Sequence, residues 1–139
     1  MSADRSLSVR DRTRYATTND VARATGLSFR QVDYWCTNGV ITPTRPSSGS
    51  GRPRGFSPAE VDCLRLLALV QRLYASFAEH DSGIRHESLR RLAVQILASP
   101  VLLGRPFFLT VEGAVVDRPV QGALYVDPRL RFDDTAVAS

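Results

Sequence analysis

The chain contains no lysine: all 18 of its basic residues are arginine. Arginine without lysine is what a G+C-rich genome tends to encode, so the absence is first a mark of codon usage. It also means that every cation is a planar fork of donors suited to phosphate groups and guanine edges. Cysteine is nearly absent too. Cys36 and Cys63 stand 27 apart with no CxxC, which excludes a secreted disulfide scaffold. Both are expected to be small buried apolar residues in a reducing compartment. No stretch approaches the roughly 18 apolar residues of a membrane span. The opening MSADRSLSVRDRTRY lacks an apolar core of signal-peptide length, so export is not expected and a cytoplasmic chain is. There is no glycine-rich phosphate loop, no GxSxG and no pair of carboxylates on one helical face, so no enzyme and no cofactor are expected. His80, Asp81, His86 and Glu87 are near one another in the chain, but their spacing matches no metal motif.

What is present fits an ordinary globular protein of 139 residues: 43% hydrophobic, 23% charged, enough for one domain, or one small domain and an appendage. The net charge of +4 is unevenly placed. Residues 1–60 hold nine arginines against five acids, and residues 61–139 hold nine against nine. All of the excess lies in the first half, an asymmetry that points to a nucleic-acid face.

Local signals divide the chain. Residues 1–14, with Arg5, Arg10, Arg12 and Arg14 among polar residues, show no period and are expected to form a flexible basic arm. Over 17–25 the sequence predicts a short helix capped by Thr17 or Thr18, with Asp20 at its positive end and Gly26 closing it in the left-handed region. Ser28 caps a second helix, 29–37, with Val32 and Trp35 on its apolar side, and Asn38-Gly39 stops it. Helix, glycine turn and helix within about 22 residues make a helix-turn-helix pattern. Residues 42–55 form a flexible basic loop, flanked by Val40-Ile41 and Phe56 as the stem of a minimal hairpin. Ser57-Pro58-Ala59-Glu60 is a capping box with proline at the first helical position. The helix that follows carries one apolar stripe of Cys63, Leu66, Leu67, Val70, Tyr74 and Phe77, and Asp81-Ser82-Gly83 breaks it. Another helix is expected over 86–98, with Leu89, Leu92, Ala93, Ile96 and Leu97 inward, ended by Ser99-Pro100. Phe107–Val111 and Ala114–Val116 flank a tight turn at Glu112-Gly113, and Ala123–Val126 adds a third strand.

The run Thr18–Val70 resembles the MerR-type winged-helix DNA-binding domain. The matching pieces are Asp20-Val21-Ala22, Gly26-Leu27-Ser28, Tyr34-Trp35, Asn38-Gly39-Val40-Ile41, Pro43 and Arg54-Gly55-Phe56-Ser57 before a leucine-rich helix. Phe29 to Trp35, with Gly49-Ser50-Gly51 in the wing, is closest to a subgroup from G+C-rich bacteria and their phages. Gly83-Ile84 followed by Leu89 looks like the family's fourth helix. There are departures. Most relatives carry arginine where this chain has Asp33. Residues 99–139 contain Pro100, Pro106, Pro119 and Pro128 and so cannot supply the family's long coiled-coil helix. The effector-binding cysteines of the metal-sensing branch are missing.

The fold class expected is mainly α: a winged helix-turn-helix over 15–98, followed by a small β-rich hairpin or meander module over 99–139. A recognition helix reads base edges with its N-terminal residues. Here those are Ser28, Phe29, Arg30 and Gln31, with Arg30 suited to guanine, Gln31 to adenine and Phe29 to a thymine methyl. Tyr34 is expected on a phosphate while Trp35 turns into the core. Arg45, Arg52 and Arg54 are expected along the backbone or in a minor groove. Thr18 and Ser48 complete the expected DNA contacts. Asp33 is either a surface charge or an internal partner for a wing arginine.

The partner expected is double-stranded DNA, with self-association or contact to RNA polymerase or another regulator through residues 99–139. The function expected is sequence-specific transcriptional regulation. Two alternatives are an excisionase-like architectural factor in recombination and a protein-interaction module.

Overall fold

The computed structural model describes residues 15–46, 53–77 and 84–130, except the side chains of Ser76 and Phe77. The expected arm, the wing tip with Ser48 and Arg52, the 81–83 break and the last nine residues lie outside the described residues. Among the described residues the order is α1 (Thr18–Thr25), α2 (Phe29–Thr37), α3 (Pro58–Phe77), α4 (His86–Ala98), a 3-10 turn (Pro100–Gly104), then β1 (Phe107–Leu109), β2 (Val115–Val116) and β3 (Leu124–Val126).

The first three helices start where their caps dictate. At α1 the Asp20 N–H donates to Thr17 Oγ1 at 3.1 Å, and the Thr17 N–H donates back to Asp20 Oδ2 at 2.9 Å. Gly26 closes α1 at φ 80°, a conformation that L side chains rarely adopt. At α2 the Gln31 N–H donates to Ser28 Oγ at 3.0 Å. At α3 the Glu60 N–H donates to Ser57 Oγ, and the Ser57 N–H donates to Glu60 Oε1.

The middle of α3 is buried on nearly every side. Cys63, Leu64, Leu66, Leu67, Ala68, Leu69 and Val70 are all inside. The single stripe read from sequence is too narrow, because both α1 and α4 pack against α3. In α4 the stripe Leu89, Leu92, Ala93 and Ile96 is buried as expected, but Leu97 is exposed. Cys63 is buried, whereas Cys36 is only half-buried. Trp35 is fully buried beside Val32.

The stem of the wing differs from expectation. Val40 and Ile41 do not pair with Phe56. Their side chains are core residues, and Phe56 instead exchanges backbone hydrogen bonds with Ala16, both 2.8 Å. The wing closes further out, where Arg45 and Gly55 exchange a second such pair.

The C-terminal strands form an antiparallel sheet in the order β2-β1-β3. The β1–β2 hairpin and the third strand are present as read. However, β3 pairs with the far edge of β1 (Phe107 opposite Val126, Leu109 opposite Leu124), so the order is not that of a meander. Phe107, Leu109 and Val126 point inward and join the same buried cluster as α1 to α4. That cluster needs one inward face from the sheet, and a central β1 supplies it with neighbours on both sides.

Candidate nucleic-acid interface

The exposed side of α2 lies opposite Val32 and Trp35. Phe29 is 52% exposed and Tyr34 50%. Arg30 is exposed and forms no ion pair with another described residue. A guanidinium with no partner among the described residues, beside a solvent-facing aromatic ring at the start of a helix, leaves its fork of donors open to an external acceptor. Ser28 is also exposed, with its oxygen accepting the cap hydrogen bond and its proton left to donate.

Other residues expected on DNA have internal partners. Gln31 is half-buried, and its amide donates to Gln71 Oε1 of α3 at 2.8 Å. Thr18 is buried at the start of α1. Tyr34 sets its ring edge to face with His86 at the start of α4, with centroids 5.0 Å apart. Arg45 is half-buried and lies over the Tyr15 ring, 5.2 Å from its centroid. Its Nε is buried with no hydrogen-bond partner among the described residues.

Arg54 is the most committed of the wing arginines that are described. Its side chain is 18% exposed, and its Nη1 donates to Asp33 Oδ1 at 2.7 Å. Of the two sequence readings of Asp33, the internal partner is the one observed. Thr17, Thr18, Asn19, Phe29, Asp33, Pro53 and Arg54 line an open cleft of about 320 Å3. The cleft brings the start of α1, the start of α2 and the wing root to one corner.

Glu60 holds the wing from beneath. Its buried carboxylate accepts from the Thr44 N–H (3.0 Å), the Thr44 hydroxyl (2.9 Å) and the Ser57 N–H (2.8 Å). The capping-box half of this was legible in sequence. The grip on Thr44 was not, because no local spacing links residues 16 apart.

Among the described residues no group of three or more His, Cys, Asp and Glu gathers to hold a metal ion, and no helix is long and apolar enough to cross a membrane. His80 and Asp81 of the loose sequence cluster lie outside the described residues.

Residues 16–76 match the model of the MerR HTH family regulatory proteins. This stretch of the chain is similar to the MerR helix-turn-helix. It is similar to an uncharacterized HTH-type transcriptional regulator of Mycobacterium bovis, and to proteins described in the same words from two strains of Mycobacterium tuberculosis. Each is 32% identical over 79 residues, a stretch that covers 55% of this chain and 34% of the relative. The matched part thus spans about a third of the length of those curated relatives. The matched segment ends within α3; α4 and the sheet follow it but share its core.

Proposed function

We propose that the protein is a sequence-specific DNA-binding transcriptional regulator, with α2 in the major groove and the wing on the flanking backbone. The observation that carries this reading is the exposed Arg30 at the head of α2, with no ion-pair partner among the described residues, within the segment that matches the MerR family model. Arg30 forks onto a guanine edge, and Phe29 packs on a thymine methyl. Ser28, Tyr34 and the wing residues Ser48 and Arg52 serve the phosphates, which position the helix without reading sequence. The remaining candidates are closer to supports: Gln31 tied to Gln71, Thr18 in the cap region, Arg45 on Tyr15 and Arg54 on Asp33. The protein acts in the cytoplasm on nucleoid DNA, and the sheet face offers a place for self-association or for a regulator to dock.

The test is a binding selection on sheared genomic DNA at low and physiological salt. Sharp sites upstream of genes that survive the higher salt are expected. Enrichment only at low salt, without a shared motif, overturns the reading, because phosphate contacts alone give salt-sensitive, sequence-blind binding. Sites confined to tandem repeats at an integration locus replace regulation by an architectural role. Arg30→Ala is expected to flatten one position of the motif by roughly fivefold or more. Arg52→Ala is expected to weaken all sequences alike and to reduce the salt slope by about 1.

A further inference from the structure

Asp33 is a carboxylate on the solvent-facing side of a helix proposed to meet a polyanion, with its side chain 47% exposed. It lies one turn beyond Phe29 and three residues beyond Arg30. A bare carboxylate there is repelled by phosphates. This one is not bare: Arg54 Nη1 sits 2.7 Å from Oδ1, and the pair is close to neutral as a unit. Arg54 is the only donor to this carboxylate among the described residues. An ionised carboxylate has about four lone-pair sites across its two oxygens, so the described residues use only a small part of its accepting capacity. The ion pair fixes the side chain in one orientation, at the mouth of the cleft shared with Phe29 and Pro53.

The chemistry of base edges then selects a partner. In the major groove guanine and thymine present acceptors to a carboxylate. Adenine presents a donor beside the N7 acceptor. Cytosine alone presents the N4 amino donor with no acceptor next to it. A pure acceptor held in place therefore favours cytosine.

We propose that Asp33 is a specificity-determining residue, accepting a hydrogen bond from a cytosine amino group, and that Arg54 is the positioning residue that neutralises and aims it. The proposal rests on the DNA-binding reading above. It also ties the position to Arg30. Three residues along a helix advance about 4.5 Å, little more than one base-pair step of roughly 3.4 Å. The cytosine therefore lies within one or two steps of the guanine read by Arg30.

The experiment is a selection from random duplexes with the full chain, run in parallel for the parent, Asp33→Asn, Asp33→Ala and Arg54→Gln. Circular dichroism confirms that each variant is folded. The parent motif is expected to hold a cytosine column favoured roughly five- to tenfold over other bases. Asp33→Asn is expected to turn that column toward adenine, since an amide pairs with the N6/N7 edge. Asp33→Ala is expected to flatten it, and Arg54→Gln to blur it, while the other columns stay. A motif unchanged in both Asp33 variants, with affinity shifted equally for all sequences, overturns the proposal: Asp33 then only braces the wing, and the DNA-binding reading stands. A parent protein that selects no motif overturns both. Asp33→Asn keeps the shape of the side chain and an oxygen for Arg54, so a folding failure in Asp33→Ala leaves the test intact.

Discussion

Gly113 shows how much one residue can settle. It has φ 95°, and an added Cβ would meet the Ser88 carbonyl oxygen, and its Cα at 2.9 Å. The hairpin tip lies against α4 so closely that only hydrogen fits between them. Gly113→Ala is expected to lower the unfolding free energy by about 2–4 kcal/mol, from backbone strain and steric clash together, as read by urea denaturation. An unchanged midpoint would show that the tip lifts off freely. Glu60 is a second such residue. Removing its carboxylate strands two N–H donors at the root of the wing. Glu60→Ala is expected to cost roughly 2–4 kcal/mol in the same assay. Little of this was legible in the sequence. Glu112-Gly113 read as a turn, but the sequence had no signal for the closeness of Ser88, which lies 25 residues earlier. Phe29 and Arg30 were legible as exposed helix-start residues, whereas Gln31 was not legible as a support, because its partner Gln71 is 40 residues away.

Among the elements, the helices obey short-range rules and the wing does not. Thr17, Ser28 and Ser57 each cap the helix that follows, within three residues of the group they bond. Such signals are local, so the starts of α1, α2 and α3 follow from the sequence. The pairing of Ala16 with Phe56 is not local: the two lie 40 residues apart, while Val40 and Ile41 are buried in the core. Thr17→Ala is expected to cost about 1 kcal/mol. The cap also carries a pH dependence. The Thr17 N–H, and then Arg23, hold the Asp20 carboxyl below the usual carboxylate range. A depressed folded-state value stabilises above the unfolded pKa, near 3.9, and that contribution is lost as pH falls through the folded value. Asp20→Asn is therefore expected to flatten the acid limb of stability below about pH 5. An acid limb identical to the parent's would show that the cap carries no such linkage.

At the scale of the molecule, one core joins the helix-turn-helix to the sheet. Gln95 of α4 makes the joint explicit: its amide donates to the Gly113 carbonyl at 2.6 Å, and its own carbonyl accepts from the Val115 N–H at 3.1 Å. Thermal unfolding followed by far-ultraviolet dichroism and by the fluorescence of Trp35, the single tryptophan, is expected to give one coincident transition. Two separated transitions would mean that the sheet melts apart from the helices. High pH is expected to weaken the whole. Burial pushes the Cys63 thiol up to about 12 from an ordinary value of 9.0. Between those values the unfolded chain has lost a proton that the folded chain keeps, so stability falls as pH rises. Cys63→Ala is expected to show a shallower fall over that window. The sequence revealed that strands follow the last helix, but not that β1 takes the centre, since strand order depends on which face the core demands.

Glu60 has one more consequence, in time rather than in space. The amide protons of Thr44 and Ser57 both end on its Oε1. When the first turn of α3 frays, both are released together. Their hydrogen-exchange rates should therefore rise and fall in step, and the root of the wing should never outlast the helix that holds it.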